Sequence, residues 1–180
     1  MDEQARLIEA YQSQASASVP FKLDLLMGLE RLRDDRVVPF LLQIVQDRHE
    51  HDAVRVYVLK RLRNGDGVLR PSDRPGVAQT IGQVMLSMSS ADLRLQAALA
   101  LGEFTEIDGV LTTLSAICLA QHESIDLRYA AFTSLERAGP TPRCIALLRQ
   151  MSSDETLGRS AQSVLSAWHV QELRSPEGEV

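Results

Sequence analysis

The stretch from Leu62 to Asp73, LRNGDGVLRPSD, comes nearest to a metal site by residue type and spacing. Calcium-binding loops set oxygen ligands along a turn, with glycine in sixth place where the backbone bends and a carboxylate in the twelfth. In that register Asn64 is third, Asp66 fifth, Gly67 sixth and Asp73 last, and Leu69 is the apolar eighth residue. The first place falls on Leu62, which has no oxygen, and the last on an aspartate shorter than the usual bidentate glutamate. A solvated Gly/Asp turn is the plainer alternative. Around the same stretch cluster Lys60, Arg61, Arg63, Arg70 and Arg74, a set of cations able to hold an anionic group. No aromatic side chains are interleaved to stack bases, so an anionic protein surface is a better expectation than nucleic acid.

Two His-Glu pairs, His49-Glu50 and His122-Glu123, each stand six residues before an arginine, Arg55 and Arg128. Histidine next to glutamate is a metal-ligand combination, although exposed turn residues produce the same pattern. Cys118 and Cys144 fall on apolar stretches and read as reduced core thiols of a cytoplasmic protein. The serines gather at turns, Ser89-Ser90 and Ser152-Ser153, where hydroxyls cap helices. There is no nucleophile, base and orienter at recognisable spacing and no glycine-rich phosphate loop. No cofactor is expected, and a non-catalytic role is favoured.

The elements that position these groups are helical. Val54, Leu93, Leu127 and Leu157 are followed four residues later by Val58, Ala97, Ala131 and Ala161, and after four more by Leu62, Leu101, Leu135 and Leu165. Steps of four run along one helix face, and a small residue in mid-stripe lets a neighbouring helix approach. The starts are separated by 39, 34 and 30 residues, so one supersecondary unit repeats. Further helices are expected over 2–15, 21–33, 37–47, 77–88, 109–120 and 143–151, with the 64–76 loop inserted between two of them. Ten helices would then stack as roughly four antiparallel pairs with a lone helix over each end. One domain spans 1–170, and 171–180 reads as a frayed polar tail.

VVPFLLQIVQD, AVRVYVLKRL and DLRLQAALALG resemble HEAT repeats, closest to the short class also found in phycobilisome lyases. The resemblance implies an all-α, right-handed α-α superhelix whose second helices line a concave face that binds another macromolecule. It also implies a ladder between repeats built by Arg55, Arg94 and Arg128 with Asp52, Asp92 and Asp126. An aspartate at a helix start can also cap free N–H groups. His-Glu pairs on such repeats are similar to the iron ligands of the deoxyhypusine hydroxylase family, where the pair follows the arginine inside the helix. Here it precedes the helix, and two pairs lying two repeats apart are separated by roughly 20 Å at about 8–10 Å per helix, too far for one ion. The loop at 62–73 resembles an EF-hand loop, which leaves a calcium-responsive module as an alternative. A bilin-lyase-like accessory protein is another.

Bulk composition agrees with a helical stack: 44% of residues are hydrophobic and only 4% aromatic. The net charge is −5, yet residues 31–74 carry a net +3 and the remainder −8. No apolar run approaches the roughly 20 residues that span a bilayer, so no membrane partner is expected. The acidic, amphipathic start MDEQARLIEA does not read as a secretory signal. The expected partner is another protein, met on the second helices at Gln43, Gln46, Gln79, Gln83, Thr112, Thr113, Arg149 and Gln150. That row is mostly neutral and polar, which suits hydrogen bonding more than charge.

Overall fold

The computed structural model describes residues 2–14, 16–32, 34–65 and 69–169. These form ten α-helices, with no strand among them: α1 Glu3–Ser13, α2 Val19–Glu30, α3 Val37–Gln46, α4 Asp52–Asn64, α5 Arg74–Leu86, α6 Ala91–Leu101, α7 Val110–Leu119, α8 Ile125–Glu136, α9 Pro142–Met151 and α10 Gly158–Ala167. Their order along the chain alternates between two layers. The even-numbered α2, α4, α6 and α8 pack on one another in sequence, and the odd-numbered α3, α5, α7 and α9 form the second row.

Among helices consecutive in the chain, the close partnerships are α1 with α2, α3 with α4, α5 with α6, α7 with α8, and α9 with α10. The stack is therefore five antiparallel hairpins, not four pairs between lone end helices. Segments such as Ser87–Ser90 hold α5 against α6, whereas the longer link through Gly102–Phe104, a single 3-10 turn, lets α6 and α7 part.

The repeated stripe forms the core. Val54, Leu93 and Leu157 are fully buried, as are Val58, Ala97, Ala131 and Ala161 and then Leu62, Leu101 and Leu135 at 0–1% exposure. Leu165, near the open end, is only partly buried against that core. Small side chains bring the even row together: a Cβ on Gly102 would lie 3.2 Å from Ser134 Cα of α8 and 2.9 Å from Arg137 Cδ. The spacing within the odd row is wider.

Helix ends depart from the expected bounds by a few residues. The insertion is shorter than thirteen residues, since Pro71–Asp73 forms a 3-10 turn that runs directly into α5 at Arg74. Pro75 sits in the first turn of α5, where the missing N–H is harmless. Asp66 and the tail at 171–180 lie outside the described residues.

Candidate functional site

The arginines at fixed repeat positions perform one structural task. Arg55 Nε donates to the Val45 carbonyl (3.0 Å), Arg94 Nε to Met85 (2.7 Å) and Arg128 Nε to Cys118 (2.8 Å). Each carbonyl belongs to the penultimate residue of α3, α5 or α7, where helices leave carbonyls unpaired and the dipole is negative. The carboxylate rungs come from one turn further on. Arg94 is bidentate to Glu123 (2.6 and 2.9 Å), and Arg128 meets Asp154 at 2.7 Å with both side chains 3% exposed. At the N-terminal end a lysine takes the arginine's place: Lys22 Nζ lies 2.8 and 2.9 Å from the Glu50 oxygens. Tyr11 Oη donates to the same carboxylate at 2.7 Å.

This geometry corrects two expectations. Of the three aspartates, only Asp52 pairs with its arginine, at 3.3 Å from Arg55. Asp92 and Asp126 lie in the first turns of α6 and α8, but the caps are Ser90 and Ser124, which accept from Leu93 N and Leu127 N. The glutamates of the His-Glu pairs are rungs turned inward. His49 and His122 stay on the surface, and no group of three His, Cys, Asp or Glu among the described residues could hold a metal.

The surroundings explain the charge states. Burial would raise Glu50, but Lys22, Tyr11 and the His51 N–H hold it below its ordinary value. The Arg94 guanidinium holds Glu123 low. Burial opposes ionisation of Asp154 as well, and the N–H groups of Leu157 and Thr156, with Gln121 and Arg128, overcome it. Burial pushes the Cys118 thiol up to about 12 and the Cys144 thiol to about 11.

The cluster of cations around the insertion is largely neutralised. Arg61 pairs with Glu30 at 2.7 Å, and Arg70 with Asp35 at 2.5 Å and Asp73 at 3.2 Å. Arg74 meets Glu106 at 2.6 Å, hydrogen-bonds the Glu103 carbonyl and lies over the Phe104 ring, 4.6 Å from its centroid. Lys60 and Arg63 have no ion pair among the described residues. For the proposed calcium ligands, Asn64 is the last residue of α4, and both Asp73 oxygens accept from the Arg70 side chain. Leu62, the first position of that pattern, is fully buried.

The second-helix residues are spread along the odd row. Gln43, Gln46, Gln79, Gln83, Thr112, Arg149 and Gln150 are exposed, and Thr113 is half-buried. They do not share one recess. Gln43 borders a recess of about 290 Å³ whose wall includes Tyr11, Lys22 and Glu50. Gln79, Gln83 and Thr113 line a larger groove of about 700 Å³ between α5 and α7. Thr112, outside it, accepts from Arg143 at 2.8 Å. The link before α7, residues 106–109, forms part of the groove's wall. Its apolar lining includes Ala78, Gly82, Leu86, Ile107 and Val110.

The sequence pattern did not single out Gly82 or Ile107, or the Lys22–Glu50–Tyr11 cluster. A glycine amid the apolar run of α5 was the one readable signal, since glycine is a poor helix former.

No protein-family model matches the chain, and no curated protein matches it. A solved structure similar to it is that of human deoxyhypusine hydroxylase in complex with glycerol, at 14% identity and a TM-score of 0.44, over 92% of this chain and 85% of that one. The helical-repeat architecture of this chain stands on its own packing.

Proposed function

We propose that the protein is a non-catalytic binding module that receives another protein on the row formed by α3, α5, α7 and α9. What supports the reading is the groove between α5 and α7, an apolar floor flanked by the exposed amides of Gln79 and Gln83. An apolar floor with a polar rim is the composition of a protein-recognition surface. The buried charged groups of the ladder are engaged with each other, Lys22 with Glu50, Arg94 with Glu123 and Arg128 with Asp154.

Site-specific photo-crosslinking tests it. A photoreactive residue placed at Gln43 or Gln83 is expected to capture a discrete protein, whereas one at Asp126 or Tyr129, exposed on the even row, captures none. Adducts from the even row alone, or a partner lost on Lys60→Ala with Arg63→Ala but kept on Gln43→Glu with Gln83→Glu, would overturn the assignment. The same captures run with calcium and with chelator read whether the 64–73 loop contributes.

A further inference from the structure

Resting on the docking face above, we propose that the groove between α5 and α7 takes an extended segment of the partner protein. The segment seats an apolar side chain over Gly82 and sets a lysine or arginine against Asp108.

Gly82 carries the first half. It stands inside α5, where glycine weakens a helix, and packing does not require it. A Cβ at Gly102 would fall 2.9 Å from Arg137 Cδ, and one at Gly158 would fall 2.7 Å from the Ser152 carbonyl oxygen. A Cβ at Gly82 would meet only Thr113 Cγ2, at an ordinary 3.9 Å. A larger side chain would instead occupy the groove. The missing side chain therefore keeps open the space that an incoming apolar group fills.

Shape and charge carry the second half. Pro75 and Leu86 both line the groove, so it follows α5 for about 16 Å at 1.5 Å per residue. That is the length of roughly five residues of extended chain. Gln79 and Gln83 offer amide donors and acceptors of the kind a peptide backbone can pair with. The charged residues in the lining are Glu106 and Asp108, both acidic. Arg74 neutralises Glu106 at 2.6 Å, while Asp108 is exposed with no ion pair among the described residues. The side-chain charge without an ion pair in the lining, before the start of α7, is thus negative, and it favours a cationic side chain beside the apolar anchor.

The test pans a phage-displayed random-peptide library against the full chain and measures the winning peptide, fluorescently labelled, against variants. Enriched peptides are expected to join an apolar residue to Lys or Arg. Gly82→Leu should weaken the chosen peptide by about tenfold or more, as loss of a buried anchor does. Asp108→Asn should weaken it by about three- to fivefold, less so at high salt. If Gly82→Leu alters the thermal midpoint, Thr113→Trp blocks the groove from its other wall. No enrichment, acidic winners, or full affinity for the blocked groove would each sink the proposal. A partner that crosslinks from Gln83 and ignores Gly82→Leu leaves the docking face standing and removes the groove as its seat.

Discussion

Arg128 shows what a single buried cation does in this chain. Its side chain is 3% exposed, and it joins the end of α7, through the Cys118 carbonyl, to Asp154 in the turn before α10. Arg128→Ala strands a buried carboxylate and an unpaired carbonyl, a change expected to cost about 3–5 kcal/mol. Asp126→Asn, on the exposed first turn of α8, should stay within about 0.5 kcal/mol. Denaturant melts of the single and double variants check both, with coupling of about 0.5–3 kcal/mol for Arg128 with Asp154 and none for Arg128 with Asp126. The arginines were legible because they recur at fixed places in the stripe. Their carboxylates were not, because Arg94 and Glu123 lie 29 residues apart and Arg128 and Asp154 26. The nearby aspartates looked like better partners for that reason.

The same rungs set the response to acid. Glu50, Glu123 and Asp154 all ionise more readily folded than unfolded. Such groups contribute stability that is fully present above the ordinary carboxylate range, near pH 4, and lost as the pH falls through their lower folded values. Stability should therefore be flat from about pH 7 to pH 5 and decline below about pH 4. Glu123→Gln is expected to be less stable at neutral pH and to decline more gently in acid. Urea melts across that range decide it. A variant with the slope of the parent would remove Glu123 as a source of the acid response.

At the scale of the element, two glycines serve opposite ends. Gly82 sits on an open groove, so Gly82→Ala should stabilise α5 by about 0.5–1 kcal/mol through helix propensity, raising Tm by about 1–4 °C. Gly102 is enclosed by Ser134 and Arg137, and Gly102→Ala should lower Tm because it forces α6 and α8 apart. Thermal melts give both signs. Helix existence was readable from steps of four, since apolar faces must be buried. Ends were less so: the 3-10 turns at Pro71–Asp73 and Gly102–Phe104 are set by local hydrogen bonds that leave little trace in periodicity. The residues of the proposed docking face were legible as exposed positions on the second helices. The groove was not, because it arises from the space between α5 and α7 and not from either helix.

At the scale of the molecule, ten helices in repeating units were apparent from the chain, but their grouping into five hairpins was not. The sequence marks where units begin, but the links before and after α8, 120–124 and 137–141, are equally long and only the first joins a close pair. No described helix is long and apolar enough to cross a membrane. The ladder also runs unevenly through the stack. Lys22 reaches the turn before α4, Arg94 the turn before α8 and Arg128 the turn before α10. The turn before α6, Ser87–Ser90, contains no acid, and Arg55 pairs with Asp52 on its own helix.

That missing rung makes the boundary between α4 and α6 a seam. Four helices lie on one side and six on the other, joined there by packing and the exposed Arg70–Asp35 pair, where the other joints carry an ion pair of the ladder. Glu50 and Glu123 each stand two residues before the helix they precede, and the matching residue before α6 is Ser89. Ser89→Glu would supply Arg55 with the carboxylate its counterparts have, raising stability by about 1 kcal/mol. Hydrogen exchange would read the repair directly, as slower and more uniform opening of the helices on both sides of the seam. The α5–α7 groove lies wholly on the six-helix side of that seam.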